Sequence, residues 1–119
     1  MEPQDLHRRV EEAFNRSDVD ALVALYEPDA RMVRDDGTAA VGLEAIREIW
    51  AGFVGLGGRI AMTTRTVVEA GDIALLSNAY AFTADGMEFG AVTAEVARRG
   101  PDGTWRYLID NPFAGPAEG

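Results

Sequence analysis

Apolar residues in the first part of the chain recur at helical spacing. Leu6, Val10, Ala13 and Phe14 stand at i, i+4, i+7 and i+8, one face of an α-helix, with Pro3 ahead of them where a missing N–H does no harm. Ser17, with Asp20 three residues on, forms an acidic capping box, and Val19, Leu22, Val23, Leu25 and Tyr26 carry a second helix that Pro28 ends. The pattern then turns strand-like from Ala30 to Arg34, closed by the turn signal Asp35-Asp36-Gly37. Helical spacing returns with Ile46, Ile49, Trp50, Phe53 and Val54, which predicts a third helix from Leu43 to Val54, stopped by glycines at 55, 57 and 58.

The second half is rich in Val, Ile, Thr, Tyr and Phe. Strands are predicted near 59–70, 72–84, 87–99 and 104–113, separated by Gly71-Asp72, Asp85-Gly86 and Gly100-Pro101-Asp102-Gly103. Long strands joined by short turns make a meander. The predicted architecture is therefore α+β, with three N-terminal helices packed on one concave face of a sheet. Residues 1–119 are expected to form one domain, with 115–119 a frayed tail.

Composition narrows the chemistry. The 11 basic residues, all arginine, face 20 acidic ones for a net charge of −9; cysteine and lysine are absent and His7 is the sole histidine. Thiolate, Schiff-base and disulfide chemistry are thereby excluded. A carboxylate cluster is the one remaining route to a metal, and Asp35-Asp36 lacks the alternating spacing of a calcium loop, so neither metal nor cofactor is expected. An acidic chain is a poor partner for nucleic acid. No apolar run reaches the ~18–20 residues that span a bilayer, and the N-terminus lacks the pattern of a signal peptide, so a cytoplasmic location is the expectation. His7 reads as a solvent-facing residue of the first helix.

The order of elements resembles the nuclear transport factor 2-like superfamily, the cone-shaped fold of ketosteroid isomerases and SnoaL-like polyketide cyclases. Four stretches carry the resemblance: Asn15 to Tyr26 as the inter-helix junction, Asp29 to Val33 as the first strand, Gly42 to Trp50 as the opening of the third helix, and Gly103 to Phe113 as the last strand. The last of these is similar to an uncharacterised bacterial branch. The resemblance implies three helices on a strongly curved antiparallel (mixed) sheet enclosing a hydrophobic pocket, and a homodimer through the outer sheet face. It also carries over the isomerase positions. The oxyanion-donating tyrosine falls at Val10, the catalytic base at Arg34, the buried aspartic acid at or near Glu95, and the supporting tyrosine at Trp50. Arginine cannot act as a base at neutral pH, so the isomerase constellation is incomplete.

Candidate site residues follow from these readings. Arg34 either points into the cone beside Met32, where it would favour an anionic or enolate-like ligand, or reaches solvent beside the turn. Glu95 is either a buried acid or an exposed strand residue, because a one-residue slip exchanges the faces. With Trp105, Tyr107, Ile109, Asn111 and Phe113 on one face, Asn111 would point inward to orient a ligand, or else Asp110-Asn111-Pro112 is strand-ending turn chemistry. Trp50, Tyr26, Phe53, Met32 and Phe14 are the expected ligand-binding wall, and the side taken by Tyr80 stays open. The preferred function is a binding protein for a small apolar or mildly anionic molecule. Two alternatives stand beside it. One is a cofactor-independent isomerase, cyclase or hydrolase, with Glu95 or Asp110 as acid/base and Arg34 or Asn111 as electrophile; the other is a dimeric module with no ligand.

Overall fold

In the computed structural model, which describes residues 1–116, three helices lie against one six-stranded sheet. The helices are α1 (Asp5–Asn15), α2 (Val19–Val23) and α3 (Leu43–Val54). The strands are β1 (Tyr26–Val33), β2 (Ala39–Val41), β3 (Arg59–Ala70), β4 (Ile73–Ala84), β5 (Met87–Arg99) and β6 (Trp105–Pro116), in the order β2-β1-β6-β5-β4-β3. Only β1 and β6 run parallel, so the curved, unclosed sheet is mixed, as expected. Among the described residues no helix is long and apolar enough to cross a membrane.

Three expectations need correction. The second helix is one turn long, and its N-cap is Asp18, whose side chain accepts from the Ala21 amide at 3.0 Å. Ser17 instead takes a left-handed conformation, with φ 59°. Tyr26 consequently opens β1 rather than closing a helix. Pro28 lies within that strand, in the irregular stretch between the Tyr26 and Arg31 pairings with β6, where no ladder amide is required of it. The short β2 was too brief to leave a pattern. Gly115 and Pro116, assigned to a frayed tail, pair with Val92 and Ala91 at the end of β6; residues 117–119 lie outside the described residues.

The sheet has two edge strands, β2 and β3, and α1 runs along β3. Residues 7, 11 and 15, one face of the helix, meet residues 64, 62 and 60 of the strand in antiparallel order. Asn15 brackets Ile60, donating to its carbonyl at 2.9 Å and accepting from its amide at 2.8 Å, while Glu11 accepts from the Met62 amide at 2.7 Å. An exposed edge invites pairing with other chains; here helix side chains take up part of it. His7 is the third member of this row.

Candidate functional site

Strand alternation decides what faces the cone. On β4 the inward set is Ala74, Leu76, Asn78, Tyr80 and Phe82, and on β5 it includes Ala91, Thr93, Glu95 and Ala97, all buried. On β6, Trp105 and Tyr107 face inward, but the pairing then slips: Ala97 pairs with Tyr107 and Val96 with Ile109, leaving Leu108 as an extra residue. A bulge of this kind reverses the alternation beyond it. Asp110 therefore turns into the core at 6% exposure, directly opposite Glu95 at 2% exposure. Asn111 turns outward, where its Oδ1 accepts from the Phe113 amide. The expectation that Asn111 points inward fails at this single bulge.

Each carboxylate has its own support. Trp50 Nε1 donates to Tyr26 Oη at 3.1 Å, and Tyr26 Oη donates to Asp110 Oδ2 at 2.6 Å. Glu95 Oε1 meets His7 Nε2 at 2.6 Å, and Glu95 Oε2 accepts from Asn78 Nδ2 at 3.4 Å. The other ring nitrogen of His7 meets Thr64 Oγ1 at 2.7 Å, and Thr64 is exposed. A hydrogen-bonded chain thus runs from the surface through an imidazole to a carboxylate in the core. The imidazole is buried, at 2% exposure, which corrects its reading as a solvent-facing residue. His7 shares the i, i+3, i+7 face of Val10 and Phe14, and that spacing was the signal that could have placed it inside.

Burial pushes the Asp110 carboxyl up to about 7, the adjacent Glu95 charge adds to the rise, and the Tyr26 hydrogen bond opposes it. Burial, then the Asp110 charge, also pushes the phenol of Tyr26 well above its ordinary value. Tyr107 is raised for the same reason, with the Glu95 and Asp110 charges adding, and Tyr80 is pushed up to about 12 by burial and Asp110. Burial thus holds Asp110 and the phenols of Tyr26, Tyr80 and Tyr107 toward their uncharged forms.

Between helices and sheet lies a cavity in which a water-sized sphere's centre has about 50 Å³ of room. Its wall is mostly apolar, and Phe14, Met32, Trp50 and Phe53 all line it. Phe82 and Phe89 stack beside them with ring centroids 4.7 Å apart. Val10, at the position of the isomerase oxyanion tyrosine, also lines it without a polar group. Asn78, Tyr80, Thr93, Glu95, Tyr107 and Asp110 supply the polar side. Tyr80 faces inward, and its hydroxyl donates to the Pro112 carbonyl at 3.1 Å. Tyr26 stands behind this wall, touching the cavity's chemistry through Asp110. Asn78 and Thr93 were not among the candidates, although a polar residue within an alternating apolar strand is a legible signal.

Arg34 takes no part. It follows the last residue of β1, is exposed, and its Nη1 lies 3.3 Å from Thr38 Oγ1 across the turn. The electrophile expected at Arg34 or Asn111 is therefore not supplied by either. Among the described residues, no group of three or more His, Asp or Glu is arranged to hold a metal ion.

No curated protein matches the sequence. Solved structures with the same fold include a domain of unknown function with a cystatin-like fold from Nostoc punctiforme, 18% identical, with a TM-score of 0.80 over 92% of this chain and 72% of that one. A ketosteroid isomerase-like protein from Erwinia carotovora is 23% identical, with a TM-score of 0.74 over 92% of this chain and 90% of that one. A nuclear transport factor 2-like protein from Streptomyces avermitilis, proposed as a dehydratase, is 20% identical, with a TM-score of 0.76 over 91% and 89%. At these identities the likeness is one of fold. The sequence pattern of the SnoaL-like domain matches residues 7–108, a span from His7 through β6 as far as Leu108, and the chain belongs to the SnoaL-like domain family.

Proposed function

We propose that the protein binds a small, mainly apolar molecule in the cone and transfers protons to and from it without a cofactor, as an isomerase or dehydratase does. One observation carries the reading: Glu95 and Asp110 are paired across β5 and β6, both buried on the cavity wall, and each is held by a different partner. Two carboxyls side by side in a low-dielectric wall do not ionise alike, and such a pair divides into acid and base. Asp110, raised to about 7, can give up or take back a proton near neutral pH. Glu95 is the complementary acceptor. His7 orients it and links it through Thr64 to solvent, a route by which a proton can leave while the cavity is occupied. The isomerase-like and dehydratase descriptions of two fold relatives support the same class of chemistry.

Binding without turnover is the second reading, favoured by the size of the cavity. Its 50 Å³ is far below the ~300 Å³ of a drug-sized site, so the occupant is small or the wall must open to admit it. A test that separates the two is deuterium incorporation from solvent into enones and hydroxy-ketones, followed by NMR. The catalytic reading predicts exchange that falls by at least ~10²-fold in Asp110→Asn and Glu95→Gln while ligand binding persists. Binding that leaves every substrate unexchanged supports the binding-only reading.

A dimer is proposed through the outer sheet face. Val68, Leu75, Val96 and Ile109 are successive cross-strand partners, an apolar row across four strands in which Val68 is 54% and Leu75 48% exposed. Sedimentation at micromolar concentration tests it: a dimer that Leu75→Glu converts to monomer is expected, and a monomeric unaltered protein contradicts it.

A further inference from the structure

Asn78 sits in the middle of β4 at 1% exposure and lines the cavity. Its Nδ2 donates to Thr93 Oγ1 at 3.0 Å and to Glu95 Oε2 at 3.4 Å, and its backbone amide donates to the same Thr93 oxygen at 3.0 Å. The carboxylate beside it fixes the amide's orientation, since turning the group over would set carbonyl oxygen against carboxylate oxygen. Its Oδ1 has no protein partner. A buried acceptor of this kind is satisfied by water or by a ligand, and a ligand that displaces the water without replacing its hydrogen bond loses affinity.

The remaining polar wall has the same bias. Glu95 and Asp110 add two carboxyls, and no arginine lines the cavity. With Arg34 outside, the basis for an anionic ligand is gone. A carboxylate placed here would face the Asn78 carbonyl and two acids in a desolvated pocket, which is strongly disfavoured.

We infer that the cone selects a small apolar molecule carrying a hydrogen-bond donor, a hydroxyl or a protonated amine, and that this donor binds Asn78 Oδ1. The inference rests on the reading of the cone as a binding site and specifies the chemistry of its occupant. Both donor types share the recognition by Asn78. A protonated amine would in addition be drawn to the carboxylates and to the aromatic faces around it.

The test uses two matched sets of probes with the full chain: benzyl alcohol, benzylamine, benzoate and toluene, and butan-1-ol, butylamine, butyrate and methyl propyl ether. Dissociation constants come from amide NMR titrations. The alcohol or the amine is expected to bind about tenfold more tightly than the donorless member of its set, and the carboxylate more weakly than either. Asn78→Leu should bring the alcohol within about twofold of the donorless probe and weaken the amine, which keeps only its attraction to the carboxylates and aromatic faces. Because that variant replaces a buried amide, a second readout uses the unaltered protein: the side-chain amide signals of Asn78 should move with the alcohol or amine and hold still with toluene. Which of the two donors binds more tightly decides between hydroxyl and ammonium. Toluene or benzoate binding as tightly as the alcohol overturns the inference and leaves the cone a binding site. No binding by any probe overturns both.

Discussion

Replacing Asp110 by Asn should stabilise the protein at alkaline pH, an unusual outcome for a buried polar residue that is hydrogen-bonded. In the folded protein the Asp110 carboxyl is raised from 3.8 to about 7, chiefly by burial and secondly by Glu95. Between those values the folded protein holds a proton that the unfolded chain has released. The free energy of unfolding therefore falls by about 1.4 kcal/mol for each pH unit gained in that window. Over about three units the loss amounts to about 4 kcal/mol, absent below pH ~4 and complete above pH ~7. Asn is nearly isosteric, can still accept from Tyr26 Oη, and does not titrate. Urea unfolding followed by the fluorescence of the two buried tryptophans, Trp50 and Trp105, measures the difference, in which the other titrating groups largely cancel. Asp110→Asn should match the unaltered protein near pH 4 and exceed it by about 4 kcal/mol at pH 8. Parallel stability curves would show that folding leaves the carboxyl unshifted. A variant less stable at pH 8 would mean that the fold favours the Asp110 charge, and either result refutes the reasoning.

Other perturbations test other parts of the account. His7→Ala leaves Glu95 Oε1 buried without its partner, and should cost about 3 kcal/mol in urea unfolding, whereas the pair His7→Leu and Glu95→Leu together should cost less than the two single changes summed. Asn15→Ala strips both hydrogen bonds from Ile60, so stability should fall by about 1–2 kcal/mol and hydrogen exchange at the Ile60 amide should accelerate, localised at the β3 edge. Gly90→Ala sets a Cβ 2.3 Å from the Tyr80 carbonyl oxygen, a backbone atom that cannot move alone; a loss of about 2 kcal/mol by thermal unfolding is expected, and an unchanged midpoint would show that the strands can separate there.

Much of the fold was readable because long elements leave long patterns. The third helix and the four C-terminal strands emerge from spacing and turn residues at nearly their observed limits. The boundary between α2 and β1 did not, since Val19, Leu22, Val23, Leu25 and Tyr26 satisfy a helical period until tertiary pairing with β6 claims Tyr26 as strand. The site was half legible. Glu95 and Asp110 were named from the family resemblance and from their place in the strands, and the aromatic wall from helical spacing. The choice between Asp110 and Asn111 hung on the bulge at Leu108, which no pattern in β6 announces. His7 differs in kind: its polarity suits a solvent-facing position, but its spacing with Val10 and Phe14 sets it on the buried face of α1. Arg34 gained its interest from a family position, but the strand ends one residue before it.

The central claim is that Asp110 and Glu95 share the cavity wall as an unequal pair, poised to exchange a proton near neutral pH. The side-chain carboxyl carbon of Asp110, observed by NMR in protein labelled with ¹³C-aspartate from pH 4 to 9, tests this directly. A titration centred near 7, which moves lower in Glu95→Gln, is the predicted result. A carboxyl that titrates in the ordinary aspartate range near ~4, with or without Glu95, would contradict it.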